Sequence, residues 1–571
     1  MDSLQEEPSA LLSFRKAIAS HLSSILQKPS ELLLPLVQQN TGHRKASHSV
    51  FNVVIKRLGS VVGHDTAKEE AGGGGGRQGR GDLDEDTLQR CLVLSAETRQ
   101  FIANVRKTKD MLLFDPVPLH LIQLTMKSIL TSRSSKQILV KTGEEDAAAT
   151  NDMSETAKRS LKRDRDSDRL VIVNGSSIQT DENAYCALRR TVLTGFITRT
   201  QSASSQTPVK MIMDMSSSSV VKGLYHGLDL VNASDDLQGS DAERTLTALK
   251  HTLQHNKELQ VQIIDGACVV DMTSRQLGKA KVFSSVSADG STMEEPTLLV
   301  QTLMSLASHF FTYECERYIW LVPDGKHQFA EQVLYLARVV FQDESINSHE
   351  SQKEEEETEV MSRDKKKTSH SRSWTEHIQI VHFGTATGID VWKTEADLSK
   401  GLAGLIEYTH SRMKEIVTKN RGNPGRGTEY GDLDNDAEEE EESILDEQEL
   451  ARMATLLSTS ALVVASIGCK RLRKLNVDMA RILDGKGNSG VFLQYVHSRL
   501  CGIERKSKTR LNPEADLSLV QAYPEALNLS IVLAEWHDIF IGLETSLDPY
   551  ALVPYLFHLA TEIGQANHVL R

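Results

Sequence analysis

The 571-residue sequence predicts a multidomain protein in which an α/β body is followed by an all-α region. Its length suits about three to four domains, which leaves room for more than one hydrophobic core. Between about residues 168 and 420, short β-rich runs alternate with helical patterns, as in an α/β domain built around a mainly parallel sheet. From about residue 444 onward, apolar side chains recur at helical spacing, which predicts a bundle of about five helices.

Apolar periodicity supports each predicted element in turn. In the first region, helical spacing is seen at Leu11, Leu12, Phe14, Ile18 and Leu22, and again at Leu119, Leu121, Ile122 and Met126. The predicted strands of the middle region begin at Leu170, Val261, Ala267, Tyr318 and Ile378. In the last region, three helices carry apolar faces, at Leu450, Met453, Ala454, Leu457 and Ala461, at Phe492, Val496, Leu500 and Ile503, and at Tyr555, Leu556, Leu559 and Ile563.

Stretches rich in charge, Gly or Ser divide the chain, because they offer too little apolar surface to offset the entropy lost on ordering. They cover residues 72–81, 142–169, 343–373 and 421–443. We therefore predict an N-terminal domain at 1–141 with a Gly-rich insertion, an α/β domain at 170–420 with a disordered insertion at 343–373, and a helical domain at 444–571. The segments 142–169 and 421–443 are predicted linkers.

Composition excludes several classes of protein. The formal net charge is −13, so any contact with RNA must be local. The six cysteines show neither CxxC pairs nor His partners at zinc-ligand spacing, so we expect reduced, mostly buried thiols and no metal site. The N-terminus is acidic without an apolar signal core, and no run approaches about 20 apolar residues, so we expect a cytoplasmic protein with no membrane span.

One segment carries a clear family resemblance. The sequence Gly-Asn-Ser-Gly-Val-Phe-Leu-Gln-Tyr-Val-His-Ser-Arg-Leu-Cys at 487–501 is similar to Gly-Asn-Thr-Gly-Pro-Tyr-Leu-Gln-Tyr-Ala-His-Ala-Arg-Ile-Cys in arginyl-tRNA synthetases. In that family the segment lies in the helical DALR-type anticodon-binding domain. Weaker similarity at 318–330 and 377–384 resembles the family's nucleotide-binding strands, and residues 42–45 and 50–58 resemble its N-terminal tRNA-contacting domain. The resemblance implies a class I synthetase, Rossmann-like body followed by a DALR bundle.

The motifs with which that family activates arginine are missing. Its His-x-Gly-His motif, which stabilises charge on the ATP phosphate, aligns with Tyr185-Cys-Ala-Leu188. The Lys-rich loop expected after Phe383-Gly384 keeps only Lys393, and the guanidinium-reading Tyr and Asp expected after Asp289-Gly290 are absent. We therefore predict a degenerate body, a pseudoenzyme with no catalytic residues and no cofactor, and the sequence leaves open whether any ATP or arginine binding survives.

Alternatives to this interpretation stay open. Some active arginine enzymes also lack the Lys-rich motif, and Glu294 or Glu295 can pair with arginine in principle, although an exposed loop carboxylate is favoured. A divergent but active arginyl-tRNA synthetase, an ATP-dependent arginine-tRNA ligase, is therefore the alternative. His226 and His382 are expected to be packing or surface residues rather than ligands.

Candidate RNA-binding residues cluster in the last region. Recognition of an anticodon arm needs cations that track phosphates and planar or amide groups that read unstacked bases. The candidate cations are Lys470, Arg471, Arg473, Lys474, Arg505, Lys506, Lys508 and Arg510, and the candidate base-reading residues on one helix are Gln494, Tyr495, His497 and Arg499. For Tyr495, interior packing is weighed equally with RNA contact, and the cations are weighed against a merely solvated face.

A DALR domain on an eroded synthetase body resembles the DALR anticodon-binding domain-containing protein 3 family. That resemblance implies a non-enzymatic protein that binds arginine tRNA and partners a METTL-type tRNA methyltransferase, which forms 3-methylcytidine in the anticodon loop. Chemistry then belongs to the partner, and this chain raises the effective concentration of that partner on the tRNA. Neither a membrane nor DNA is an expected partner. A scaffold without any RNA function is the third possibility.

Overall fold

The computed structural model describes residues 9–39, 50–66, 83–135, 170–177, 182–204, 207–213, 228–232, 240–256, 259–287, 293–313, 315–342, 374–388, 401–421, 446–484, 487–507, 512 and 515–570. The predicted Gly-rich stretch, the 142–169 linker, the 343–373 insertion and all of the 421–443 linker except Arg421 lie outside these residues. So do residues 42–45, His226, Asp289, Gly290, Lys393, Lys508 and Arg510.

The helices follow in chain order. They are α1 Ala10–Leu26, α2 Ser30–Leu33, α3 Ile55–Thr66, α4 Glu85–Cys91, α5 Pro118–Ser135, α6 Ala184–Ser204, α7 Ser240–His255, α8 Leu298–Thr312, α9 His327–Gln342, α10 Gly401–Arg421, α11 Glu447–Ile467, α12 Met479–Leu483, α13 Gly490–Ser507, α14 Pro524–Ser546 and α15 Leu552–Val569.

The strands are β1 Gln38–Gln39, β2 Phe51–Val54, β3 Ile102–Lys107, β4 Met111–Pro116, β5 Leu170–Asn174, β6 Val209–Met213, β7 Leu230–Asn232, β8 Gln260–Ile264, β9 Ala267–Asp271, β10 Lys279–Val286, β11 Met293–Pro296, β12 Cys315–Pro323, β13 Ile378–Phe383, β14 Ala386–Gly388 and β15 Leu475–Val477. The chain forms two compact units. One contains Met1–Glu145, Leu500–Gly542 and Tyr555–Arg571, and the other contains Asp146–Arg499 and Leu543–Pro554.

In the first unit, a four-stranded antiparallel sheet of order β1-β2-β4-β3 shares its core with α1. The helical periodicity predicted for α1 is confirmed, since Leu11, Phe14, Ile18 and Leu22 are buried. Apolar residues of α14, including Ile531, enter the same core. Helix α14 is therefore held by the N-terminal region within this unit.

In the second unit, a five-stranded sheet of order β13-β12-β5-β6-β7 is parallel throughout. The predicted strands at Leu170, Tyr318 and Ile378 are confirmed there. Strand order reverses between β5 and β12, because β6 and β7 extend the sheet one way and β12 and β13 the other. In open α/β sheets, ligands bind in the crevice at the carboxyl ends of the strands where this reversal occurs. We call this place the switch-point crevice.

The strands at Val261 and Ala267 do not join the parallel sheet, so that part of the prediction is wrong. They form an antiparallel hairpin in a second sheet of order β11-β10-β9-β8. Asp265 and Gly266 connect them with φ of 50° and 73°. Two residues with positive φ make the tight turn that joins antiparallel neighbours, and Asp-Gly favours it. Both sheets share a core around Trp320 and Phe283.

The five helices predicted after residue 444 are α11 to α15, so that prediction is confirmed for the described residues. The strand β15 was not predicted. The apolar face assigned to α13 is wrong at Leu500 and Ile503, whose side chains are 38% and 43% exposed. By length and composition alone, α11 and α14 are long and apolar enough to cross a membrane, but each has a face buried in its own unit.

Candidate nucleic-acid interface

The predicted basic cluster lies on the segment between the end of α11 and the start of β15. Lys470, Arg473 and Lys474 are exposed. Arg471 differs from them, since its half-buried guanidinium Nη1 donates to the main-chain carbonyl of His382. Burial also lowers the pKa of Arg471, although nearby Asp548 opposes this shift. We call residues 469–474 the basic loop. Its three exposed cations are Lys470, Arg473 and Lys474.

A buried arginine that the sequence interpretation missed holds the basic loop. The side chain of Arg189 on α6 is 0% exposed. Its Nη1 donates to the carbonyl of Arg473 at 2.6 Å, and its Nη2 donates to the carbonyls of Lys470 and Arg471 at 3.0 and 3.1 Å. Nη2 also lies 3.3 Å from the Sγ of Cys469. The loop therefore turns its carbonyls inward onto one guanidinium.

Three further contacts fix the basic loop. The amide of Gly384 donates to the carbonyl of Arg471 at 2.8 Å, and β14 pairs in parallel with β15 directly after the loop. A Cβ on Gly384 would lie 2.3 Å from the carbonyl oxygen of Arg473, so only glycine permits this approach. The carboxylate of Asp548 accepts from the amide of Arg471 at 3.1 Å and supplies a negative charge near Arg189. Burial lowers the pKa of Arg189, and this counter-charge opposes that effect.

The glycines of the family-like segment explain how α13 begins. Gly487 has a φ of 75°, a conformation that L side chains rarely adopt. Gly490 starts the helix against α11, where a Cβ would lie 2.2 Å from the carbonyl oxygen of Ser460. Gln494 donates to the Oγ of Ser460 at 2.9 Å. Gln494 is therefore engaged in packing α13 on α11.

The outer face of α13 presents a tyrosine–arginine pair. Tyr495 is 45% exposed, so its ring lies at the surface rather than in the interior. Arg499 Nη1 donates to the Oη of Tyr495 at 2.9 Å, and the guanidinium carbon lies 5.7 Å from the ring centroid. His497 is exposed on the same helix. An aromatic face with an adjoining cation is suited to an unstacked base and its phosphate.

The remaining candidate residues belong to the first unit. Arg505 and Lys506 are exposed at the end of α13. Sequence reasoning missed Trp536 on α14, which is 44% exposed and stands 5.9 Å from the ring of Phe540 and 5.8 Å from that of Tyr555. Its neighbours Glu535, His537 and Asp538 are polar, and a tryptophan within a polar run is the signal that would have found it.

The switch-point crevice meets the start of α6, where the sequence alignment placed the missing phosphate motif. The Oδ1 of Asn183 accepts from the amides of Tyr185 and Cys186 at 3.1 and 2.9 Å. A Cβ on Gly388 would lie 2.0 Å from the ring of Tyr185, so the tyrosine lies directly on this glycine of β14. Leu188 is buried. A helix start binds phosphate through its free amides, and here a side chain of the same chain occupies two of them.

Beyond β12, His327 at the start of α9 contacts His382 of β13. The Nδ1 of His327 and the Nε2 of His382 are 2.9 Å apart, and burial followed by repulsion from His327 lowers the pKa of His382. Within the described residues, no group of three or more metal-ligating side chains is found. Glu294 and Glu295 are exposed on the edge strand β11 rather than on a loop, and Glu295 accepts from the Oγ of Ser284.

Known proteins resemble this chain in sequence. The DALR anticodon binding domain matches residues 493–567. The chain carries a DALR domain. The probable cytoplasmic arginine–tRNA ligase of Dictyostelium discoideum is 28% identical over 197 residues, which cover 34% of this chain and 29% of that protein. The cytoplasmic and mitochondrial arginine–tRNA ligases of Saccharomyces cerevisiae are 23% and 21% identical, over 53% and 58% of this chain and 41% and 43% of their own lengths. The matches thus span less than half of each relative.

Solved structures extend the likeness to the fold. The arginyl-tRNA synthetase of Thermus thermophilus matches with a TM-score of 0.52 at 13% identity and covers 98% of this chain and 92% of its own. That of Plasmodium falciparum matches with a TM-score of 0.53 at 12% identity, over 97% and 92%. The fold is therefore that of a class I synthetase, an α/β body followed by a helical DALR domain. Gln494, Tyr495, His497, Arg499, Arg505, Lys506 and Trp536 lie in the DALR domain, and the basic loop precedes it.

Proposed function

We propose that this chain is a non-catalytic protein of the cytoplasm that binds arginine tRNA through its DALR domain and basic loop. It delivers that tRNA to a METTL-type methyltransferase that forms 3-methylcytidine. The observation that carries the proposal is a contrast within the second unit. The helix start suited to ATP phosphate is capped by Asn183 and occupied by Tyr185, whereas the basic loop and α13 keep exposed cations and an exposed aromatic ring.

The crevice supports the non-catalytic part of the proposal. Transfer of arginine to tRNA requires ATP, and the reaction needs donors aimed at the charge that develops on the α-phosphate. Two amides of α6 already donate to Asn183. The neighbouring side chains are a tyrosine that lies on Gly388 and a buried leucine, Leu188, which has no donor for a phosphate oxygen.

The exposed surface supports the RNA-binding part. Lys470, Arg473 and Lys474 offer three cations on one short loop, and the protein's negative net charge makes such a local cluster necessary for contact with phosphate. Tyr495 and Arg499 add a ring and a guanidinium that stack with bases. In the first unit, Trp536 provides a second exposed ring.

The proposed delivery role fits a chain that performs no chemistry itself. A protein that holds one class of tRNA and a methyltransferase together makes the second encounter intramolecular, and this raises effective concentration without a new active site. This part of the proposal rests on the family resemblance, and the cytoplasmic location rests on the relatives. A pull-down with the purified chain and primer extension across the anticodon loop of arginine tRNA test it. Loss of this chain is expected to lower 3-methylcytidine in that loop, and unchanged modification argues against delivery.

The alternative function is an active, divergent arginyl-tRNA synthetase. It is favoured by the retained synthetase fold, which covers 98% of this chain in the Thermus thermophilus comparison. A charging assay separates the two candidates. Purified chain is incubated with ATP, radiolabelled arginine and arginine tRNA, and a bacterial or yeast arginyl-tRNA synthetase serves as the positive control. We expect no arginyl-tRNA, together with retained tRNA binding in the same preparation. Multiple-turnover charging contradicts the proposal.

A further inference from the structure

We infer that Arg189 is a positioning residue for RNA binding, since it holds the basic loop in the shape that directs Lys470, Arg473 and Lys474 outward. The inference rests on the proposed function, because positioning matters only if the loop meets RNA. It assigns a positioning role to a residue of α6, the helix at whose start two amides donate to Asn183. Arg189 contacts no RNA itself, since it is fully buried.

The geometry requires a guanidinium. The basic loop makes neither helix nor strand between Cys469 and Lys474, so its carbonyls have no regular ladder of partners. The amide of Arg473 also donates to the carbonyl of Lys470, and the amide of Gly384 donates to that of Arg471. Arg189 bonds three of the loop's carbonyls within 3.1 Å, at residues 470, 471 and 473. A planar fork with several fixed donors can bind carbonyls that converge from different directions, whereas an ammonium has three donors on one atom.

The inward turn of these carbonyls bears on where the side chains of the basic loop lie. The carbonyls of residues 470, 471 and 473 turn toward Arg189, and the side chains of Lys470, Arg473 and Lys474 remain exposed. A loop fixed before binding loses little conformational entropy when it meets a phosphate chain, whereas a loose loop must be ordered in that step. Arg189 therefore adds to RNA affinity by ordering cations that it does not touch.

The chain offers a matched control at the next position. Arg190 is also buried on α6, but its guanidinium binds the carboxylate of Glu182 at 2.6 Å and the carbonyl of Gly175, away from the basic loop. R189K and R190K each replace a buried fork by an ammonium in the same helix. A loss of stability from α6 affects both variants, whereas loss of loop position affects only R189K.

Two measurements test the inference on wild type, R189K and R190K. Hydrogen exchange of a peptide covering 469–476, without RNA, reports whether the loop is held through the amides of Arg471 and Arg473, which donate to Asp548 and Lys470. Anisotropy titration with labelled arginine tRNA at several salt concentrations reports affinity and the number of phosphate contacts. Thermal melting checks that all three proteins are folded.

We expect R189K to exchange faster in this peptide and to bind tRNA about tenfold more weakly with an unchanged salt slope, because all three exposed cations remain. R190K is expected to match wild type in both measurements. Normal exchange in R189K, or normal affinity despite fast exchange, overturns the positioning role. If wild type itself binds no tRNA, the proposed function fails, and the exchange data then still show separately whether Arg189 holds the loop.

Discussion

Replacing the three exposed loop cations by alanine tests the RNA surface most sharply. Each cation that neutralises a phosphate contributes a salt-dependent factor to affinity, with a slope of about 0.7 per contact for single strands. Lys470, Arg473 and Lys474 are exposed, whereas Arg471 donates to the His382 carbonyl and is left intact. Loss of three contacts lowers the slope of log affinity against log salt concentration by about 2. If the variant and the wild type bind equally at 1 M salt, the variant then binds roughly 100-fold more weakly than the wild type at 0.1 M salt.

The assay is anisotropy titration of a labelled anticodon stem-loop of arginine tRNA from about 0.05 to 0.5 M KCl, the range over which such slopes are measured. A control triple removes Arg275, Lys279 and Lys281, which are exposed around β9 and β10 of the same unit. It changes net charge by the same amount, so it isolates position from overall charge. A slope that stays at the wild-type value in the loop variant refutes the assignment of these three residues to phosphate binding.

Three further predictions concern stability. Arg471→Ala lowers the free energy of unfolding by about 1–3 kcal/mol, because it frees a half-buried carbonyl, whereas the exposed triple changes it by less than about 0.5, as chemical denaturation will show. The pKa of buried His309 is lowered from 6.5 to about 4, so its contribution is complete above pH 6.5 and is lost as pH falls toward 4. Because the unfolded chain takes up this proton more readily, the free energy of unfolding is about 2 kcal/mol lower at pH 5 than above pH 6.5. We expect His309→Gln to flatten that part of the pH dependence, measured by urea unfolding. Gly490→Ala destabilises the protein by about 1–3 kcal/mol, because the added Cβ meets the Ser460 carbonyl. Gly502→Ala on the same helix has open space at its Cβ and stabilises the protein by up to about 1 kcal/mol. Equal effects of the two substitutions contradict the packing of α13 on α11.

The local sequence pattern was sufficient to predict the main strands of the parallel sheet in the α/β body. The runs at Leu170, Tyr318 and Ile378 are strongly apolar and β-rich because each strand is buried in a parallel sheet covered by helices. The spacing of apolar residues did not predict how the strands at Val261 and Ala267 pair, since it cannot distinguish an antiparallel hairpin from a parallel crossover. The Asp265-Gly266 pair between them carried the missing information.

The residues that shape the candidate site leave weaker traces in sequence. Arg189 binds main-chain carbonyls, and a carbonyl is present at every position whatever the residue, so nothing in residues 469–473 signals its partner. Strands β14 and β15 have three residues each and pair across 89 positions, which is beyond any local pattern. Exposure of Tyr495 and partial burial of Arg471 depend on which face of an element meets its neighbour. Sequence spacing left the position of Tyr495 open and gave no sign that Arg471 is partly buried. The domain boundaries stay predictions.

The central claim is that this chain selects arginine tRNA by a surface that includes the basic loop. The most direct measurement is sequencing of RNA captured with the full chain from cells, beside the Lys470, Arg473 and Lys474 alanine triple expressed at equal level. The account predicts enrichment of arginine tRNAs over other tRNAs with wild type and its loss in the triple. RNA captured by wild type with no preference for arginine tRNAs contradicts it.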